Sequence, residues 1–426
     1  MNHRTVRMWT TCIAAAFATA GVFGGLAGGQ DAAKPAAEWS QWRGPTRDGV
    51  CPKGWFTPWP GTEPKVLWRA QVGAGCSSMV LSKGRLYTMG NTGSKELDAE
   101  KKSRDVVWCL DAETGREVWK HEYEAPFLLA QDAGGPNSTP FSDGKFLYTV
   151  SKLGIVHCLD AEKGSVIWQR NLVADEKQLK SLSIWGGAVA SPLVVGDVVI
   201  VSVGLAHGLE KTTGKTLYEI KGANRWISPM LVETGGRTAV VIGQEKGKEQ
   251  GFLGFDAAGG EKVFSMPGFK TYVCNPIFFD DKVFVSVRGY DGGTRLYPVD
   301  PQKENPDPLW QTKEGSYWGN AVRCGELVFV GEEKDFACLD LKTGEVKWSE
   351  KSLSNTQPVL SDGKVLTMRP DGKLFVIEAA AEYKVLAQAQ AVPRGTKFSI
   401  SPVLSPGRLY LRNEKGDVAC LDVSGR

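Results

Sequence analysis

Histidine is nearly absent from this chain, four in 426 residues, and one of them, His3, stands at the very start. His121, His157 and His207 have no Ser or Cys partner marked by a nucleophile-elbow sequence, and His157, directly before Cys158 in a strand-like run, reads as a structural residue. Nine cysteines occur, but there is no Cys-x-x-Cys and no His-x-x-x-His, so the common zinc frameworks are excluded. No Gly-rich phosphate loop leads from a strand into a helix. Long stretches with apolar residues at three-and-four spacing are missing too, which argues against an α-solenoid. Charge is balanced: 51 Lys and Arg face 48 Asp and Glu, for a net +3, and Arg4 and Arg7 of that excess lie in the leader. A clustered basic stripe, which nucleic acid would require, is lacking.

What is present is one short phrase, repeated. It reads CLDAETGREVW up to Trp119, CLDAEKGSVIW up to Trp168, GLEKTTGKTLY up to Tyr218, GFDAAGGEKVF up to Phe264 and CLDLKTGEVKW up to Trp348. An acidic residue precedes a Gly by about four positions, and the Gly precedes an aromatic by about four, which describes a turn between two strands followed by a large inward ring. A period of roughly 40–50 residues falls in the range of four-stranded propeller blades. Upstream of each phrase lies a second unit, such as SPLVVGDVVIVSV from Ser191 or SPVLSPGRLYLR from Ser401. Each reads strand, turn, strand, with Gly or Asp-Gly turn chemistry suited to positive φ and a Pro at the strand head, where no ladder bond is lost.

Ser78, Ser138, Ser191, Ser228, Asn275, Asn320, Gln357 and Ser401 mark eight such starts. The expected fold is all-β: an eight-bladed propeller of four-stranded antiparallel blades. Fifty Gly, fourteen Trp and 10% aromatic residues suit it. The last repeat stops at Gly425-Arg426 without a fourth strand, and Lys65-Val66-Leu67-Trp68-Arg69 has the composition of the missing one. The ends are therefore expected to pair and close the ring, removing an exposed edge. Blade one carries a charged insertion over Asn91–Asp105, and PQKENPDP expands the loop before Trp310.

Residues 1–29 have the make-up of a secretory signal peptide: Arg4 and Arg7, an uncharged run from Cys12 to Ala27, then Ala-Gly-Gly. Residues 30–63 form an N-terminal extension, and 64–426 the propeller. Export to the periplasm or beyond is expected, with membrane association if the leader is retained. Export would permit disulfides, but Cys109, Cys158, Cys338 and Cys420 occupy the same repeat position in different blades, too far apart to pair, and read as small buried hydrophobes.

The A-x-x-G-x-x-x-W phrase after a C/G-L-D-like triplet resembles the PQQ-like repeat with its tryptophan-docking motif. That family includes quinoprotein alcohol dehydrogenases and BamB-like outer-membrane assembly scaffolds, and the resemblance runs from Lys65 to the end. The segment WSQWRGPTRDG, Trp39 to Gly49, is similar to the opening of secreted PQQ-like proteins of planctomycete-type bacteria. The resemblance implies that Trp68, Trp119, Trp168, Tyr218, Phe264, Trp310 and Trp348 are structural docking rings, each against the neighbouring blade on the Gly of the preceding turn: Gly115 with Trp119, Gly164 with Trp168, Gly344 with Trp348. It also implies what a quinone enzyme would need, an adjacent Cys-Cys pair and a calcium site of Glu, Asn and Asp. Cys-Cys occurs nowhere here and no such constellation can be placed by motif. Neither PQQ nor calcium nor any other metal is expected, no catalytic residue is assigned, and a monomeric, non-catalytic scaffold for an envelope or secreted protein partner is the leading expectation. A small-molecule or glycan-binding propeller is the alternative.

The alternative rests on the residues three to five places before each repeat's Pro, where inner strands begin. Asn137, Arg225, Trp226, Tyr272, Tyr317, Trp318, Asn355, Lys397 and Phe398 ring one channel mouth in this register, and Trp185, with Gly186-Gly187, is assigned to the same rim in the adjacent blade. They are expected to converge there, with plugging of the channel as the competing explanation.

Overall fold

The computed structural model describes residues 38–59, 63–93, 102–127, 134–175, 187–234, 236–244, 251–267, 274–287, 293–299, 306–313, 315, 319–332, 334–354, 356–393 and 400–425. Among them, 32 strands form eight four-stranded sheets. Blade 1 is β2 (Val80–Ser82) to β5 (Glu117–Glu124), blade 2 β6 (Phe141–Ser142) to β9 (Val166–Asn171), and blade 3 β10 (Leu193–Val195) to β13 (Thr216–Lys221). Blade 4 runs from β14 (Met230–Thr234) to β17 (Lys262–Pro267), blade 5 from β18 (Ile277–Phe279) to β21 (Trp310–Gln311), blade 6 from β22 (Ala321–Cys324) to β25 (Val346–Glu350), and blade 7 from β26 (Val359–Ser361) to β29 (Val385–Gln390). Blade 8 joins β30 (Val403–Ser405), β31 (Arg408–Arg412) and β32 (Asp417–Asp422) to β1 (Val66–Gln71). The expected closure is present: Trp68 pairs with Cys420 and Ala70 with Val418.

The repeated phrase has a local cause. The Asp after the third strand uses its carboxylate to hold the turn: Asp111 Oδ1 accepts from the N–H groups of Glu113 and Thr114, and Asp160, Asp256 and Asp340 do the same in their blades. This is an Asx turn. The Gly that ends it has positive φ, 70° at Gly115 and 72° at Gly164. A bulge then shifts the register between third and fourth strands, for example at Cys109/Leu110 and Cys158/Leu159, and sets the aromatic opposite the Cys.

Those rings do not sit on the glycine of their own blade. Trp68 covers Gly115, Trp119 covers Gly164, Trp168 covers Gly214, Tyr218 covers Gly260 and Trp310 covers Gly344, so each ring lies on the turn of the next blade. The expected same-blade pairs are thereby corrected. A ring on the fourth strand faces outward from its own sheet, and the surface it meets belongs to the neighbour. Each ring also donates across the seam, to the carbonyl two residues after the neighbour's third-strand Leu or its equivalent or close by: Trp68 to Ala112 (3.1 Å), Trp119 to Ala161 (3.1 Å), Trp168 to Lys211 (3.0 Å), Tyr218 to Ala257 (2.7 Å), Trp310 to Leu341 (2.8 Å) and Trp348 to Ala380 (3.0 Å).

Three of these carbonyls accept a second bond, from Tyr410, Tyr87 and Tyr148 on the second strands. Both lone pairs are then used inside a buried seam, where an unmade bond is costly. Underneath, the third-strand residue paired with the ring is Cys109, Cys158, Cys338 or Cys420 where the ring is Trp119, Trp168, Trp348 or Trp68. It is Gly208 beneath Tyr218 and Gly254 beneath Phe264. Even one methyl at those glycines would overlap the ring above.

The N-terminal extension is part of the closed ring from Glu38 onward. Trp39 and Ser40 offer carbonyls to Leu81 and Ser142 of blades 1 and 2 (2.8 and 2.9 Å), Arg47 donates to Ser191 and Pro192 of blade 3, and Arg43 to Ala321 of blade 6. Val50 forms a parallel bridge with Leu360 of blade 7. This strap enters beside the inner hairpin turns, at Lys83, and crosses the channel so that its arginines reach the strand heads on opposite walls.

The seam makes a coupled prediction. Gly164→Ala places a Cβ about 2.5 Å from the Trp119 ring at φ 72° and is expected to cost about 1–3 kcal/mol. Trp119→Ala is expected to cost on the order of 3–5 kcal/mol. In the double variant the glycine penalty shrinks, and denaturant melts of the four proteins read the difference; additive losses would place ring and glycine in separate contacts.

Candidate binding site at the channel mouth

The inner strands begin in a polar ring. The N–H of Ser78 donates to Thr139 Oγ1 (3.0 Å), Thr139 N–H to Ser191 Oγ (2.9 Å), and Ser191 N–H to Ser228 Oγ (2.9 Å). Ser228 N–H then donates to Asn275 Oδ1 (3.3 Å), Asn275 N–H to Asn320 Oδ1 (3.1 Å), and Asn320 N–H to Gln357 Oε1 (3.3 Å). Between blades 8 and 1 the polarity reverses, and Ser78 Oγ donates to Ser401 O (3.2 Å). Thr139, Ser191, Ser228, Asn275, Asn320 and Gln357 thus each carry a polar side chain that satisfies the previous blade's backbone. In blade 2 the residue that does so is Thr139, not Ser138. The sequence pattern gave these residues as blade starts; their hydrogen-bonding role was written in their shared polarity.

Just outside this girdle lie the described mouth residues. Asn224, fully buried, accepts from the N–H groups of Trp226 (2.7 Å) and Ile227 (3.2 Å), a turn that lifts Arg225 and Trp226 into a half-buried position at the head of blade 4. The guanidinium of Arg225 lies 5.0 Å from the Trp226 ring centroid. The Arg225 carbonyl accepts from Val189 and Ala190, as the Pro136 carbonyl accepts from Cys76 and Ser77. Asn137, half-buried at the head of blade 2, has blade 3 between it and this pair. Trp185, Tyr272, Tyr317, Trp318, Asn355, Lys397 and Phe398 lie outside the described residues.

Two further features escaped sequence reasoning. In the strap, Trp42 is half-buried with Arg43 at 5.7 Å and Arg47 at 6.0 Å from its ring. Burial pulls Arg43 down to about 10, against the nearby Asp48, and Arg47 down to about 9, so both stay protonated at neutral pH. Between blades 1 and 2, Asp105 accepts from Asn91 (2.8 Å) and Tyr123 (3.4 Å), and Tyr123 and His121 stack near His157, centroids 4.5 and 5.1 Å away. Burial raises Asp105 to about 6 despite those hydrogen bonds and Lys152. Asp105 is 3% exposed, so this carboxyl is enclosed by its own partners, Asn91 and Tyr123.

A family model described as outer membrane protein assembly factor BamB matches residues 61–204 and 103–350. The chain belongs to that family. No curated protein sequence matches it. Among solved structures, BamB from Moraxella catarrhalis superposes with a TM-score of 0.60 at 15% identity, over 85% of this chain and 98% of that one. Quinohemoprotein alcohol dehydrogenase from Comamonas testosteroni gives 0.65 at 12%, over 92% and 81%. The computationally designed Ika8 protein gives 0.58 at 14%, over 85% and 100%. At these identities the likeness shows the fold alone. BamB-family membership and a propeller shared with dehydrogenases and a designed protein leave function to be argued from the chain's own residues. No helix among the described residues is long and apolar enough to cross a membrane.

The buried imidazoles make a pH prediction. His157 and His207 are fully buried, and burial pulls each down from 6.5 to about 4, with His121 adding to the shift at His157. Their folded values lie below their unfolded ones, so their contribution is full above pH 6.5 and is lost as pH falls toward 4. Asp105 works the other way: raised from 3.8 to about 6, it favours the fold at low pH and loses that contribution as pH rises through 6. Two histidines outweigh one carboxyl, so the melting temperature should fall between pH 6.5 and 4, by a few kcal/mol in stability. His157→Gln with His207→Gln should flatten that fall in calorimetric scans; an unchanged slope would assign acid sensitivity elsewhere.

Proposed function

We propose that the protein is a non-catalytic scaffold of the cell envelope that holds a protein partner on the loop face of the propeller. The observation that carries this reading is membership of the BamB assembly-factor family, joined to a strap that enters the channel from the hairpin-turn side, beside Lys83. A surface that must engage a partner then lies at the mouth opposite, where Arg225 and Trp226 stand half-buried. Stacked aromatic and guanidinium groups are common anchors of protein interfaces. The leader composition fits an exported protein.

Quinone chemistry does not fit the residues present. No adjacent cysteines occur in the sequence, and among the described residues no three His, Cys, Asp or Glu side chains converge as a metal donor set. A calcium ion would need several oxygen ligands at one point. The Asp carboxylates at the blade turns are spent on Asx turns instead.

The second reading, a small-molecule or glycan site, is favoured by the same Arg225–Trp226 pair, since an aromatic face beside a hydrogen-bond donor suits a sugar. One experiment separates the readings. Stoichiometric capture of a protein from envelope extract, lost with Trp226→Ala, supports the scaffold, and a glycan-array signal lost with the same variant supports the alternative. Trp226→Ala should leave the melting temperature close to wild type while weakening the ligand by ~1–3 kcal/mol. Trp168→Ala, as control, should lower stability by roughly 3 kcal/mol or more. Equal losses would make Trp226 a packing residue.

A further inference from the structure

Seven of the eight blades carry an aromatic at the docking position of the fourth strand, and blade 7 does not. On β29 the residue in the ring's register, paired with Val376 just before the bulge, is Ala387. The turn it would meet is also the only one interrupted by the chain ends, since β32 stops at Asp422 and β1 begins at Val66. By repeat position Val423 corresponds to Ala112 and Ala161, the carbonyls that accept the indole N–H in other seams. Its hydrogen-bonding partner here comes from the strap: Thr57 N–H donates to Val423 O at 2.9 Å. The Thr57 side chain lies where a Cβ on Gly425 would meet it, at 2.6 Å, as the rings lie on the turn glycines elsewhere.

The strap is fixed on both sides of that point. Asp362, in the β26–β27 turn of blade 7, accepts from Gly54 (2.8 Å) and Phe56 (3.3 Å). Gly407, in the β30–β31 turn of blade 8, donates to the Trp55 carbonyl (3.1 Å). Trp55, Phe56 and Trp59 are buried in the same apolar cluster as Val359, Leu366, Leu404 and Leu409 of the two blades. Upstream, Cys51 and Gly49 bond in strand fashion to Leu360, and Arg47 and Arg43 anchor to carbonyls of blades 3 and 6.

We propose that the channel floor and the seam between blades 7 and 8 form a peptide-binding surface, and that residues 38–59 are its resident ligand, standing in for the docking ring that blade 7 lacks. The surface recognises an extended segment by backbone pairing along an inner strand, two guanidinium-to-carbonyl anchors and a buried aromatic cluster. This is strand addition with side-chain anchors, the mode by which folded domains take extended peptides. It is independent of the partner proposed for the loop face.

The test keeps the full chain and inserts a protease site between Trp59 and Glu63. After cleavage the N-terminal fragment that carries residues 38–59 is expected to co-elute with the propeller in gel filtration and to leave only as the protein unfolds. Thr57→Pro, which removes the N–H that Val423 accepts, should speed release at least tenfold and lower the melting temperature by roughly 2–6 °C. Thr57→Val, which keeps that N–H, should change neither. Ala387→Trp supplies the missing ring and should compete for the same place, accelerating fragment release. A fragment that dissociates with no change in melting temperature would overturn the proposal. So would an Ala387→Trp protein that melts higher with the fragment still bound, because ring and strap would then occupy separate places.

Discussion

In six seams one backbone carbonyl ties a ring to the adjoining blade. At Ala112, Ala161 and Lys211 it receives an indole N–H from one blade and a tyrosine hydroxyl from the second strand beside it, while the ring that donates lies flat on a glycine nearby. Removing water from such a group is costly unless its bonds are remade. The seam remakes them with the same aromatic that supplies most of its apolar contact. Orientation and burial are therefore set together, and a blade cannot slide against its neighbour without losing both.

The inner girdle repeats that logic with smaller groups. Ser, Thr, Asn and Gln side chains accept the N–H of the preceding blade's first inner-strand residues, so backbone donors near the channel are satisfied without water. The outer rings and the inner girdle hold the blades at their two radial ends. The same propeller fold is seen in an assembly factor and in a dehydrogenase.

Much of this was legible because a repeat compares a chain with itself. The Asp and Gly of CLDAETG predicted a turn, and both do what their chemistry demands at Asp111 and Gly115. Closure by the strand around Trp68 followed from a final repeat that ends one strand short. The partner of each ring was misassigned because sequence proximity favoured the glycine four residues before it, whereas a fourth-strand side chain reaches the adjoining sheet. The change from Cys to Gly at positions 208 and 254 accompanied the change from Trp to Tyr218 and Phe264, a correlation of size across a bulged pair that the sequence did display. The strap was illegible for the opposite reason. Residues 38–59 occur once, have no period, and owe their conformation to contacts with six blades. At the mouth, register located Arg225 and Trp226 on one strand head, but whether rings from separate blades converge depends on loop paths that no repeat encodes.

The placement of the strap reverses the order of synthesis. Residues 38–71 leave the ribosome before any blade exists, yet their partners include Leu360, Gly407, Val418 and Val423, contributed by the final repeats. Blade 8 therefore cannot form until β32 has been made, and β1, made before any blade, waits for the last strand. Contacts spanning nearly the whole chain carry the largest loop-closure entropy and form late. A chain that stops one repeat early keeps seven blades' worth of sequence but has neither β32 to receive β1 nor Val423 to receive Thr57, so truncation anywhere near the C-terminus unfastens the N-terminus as well.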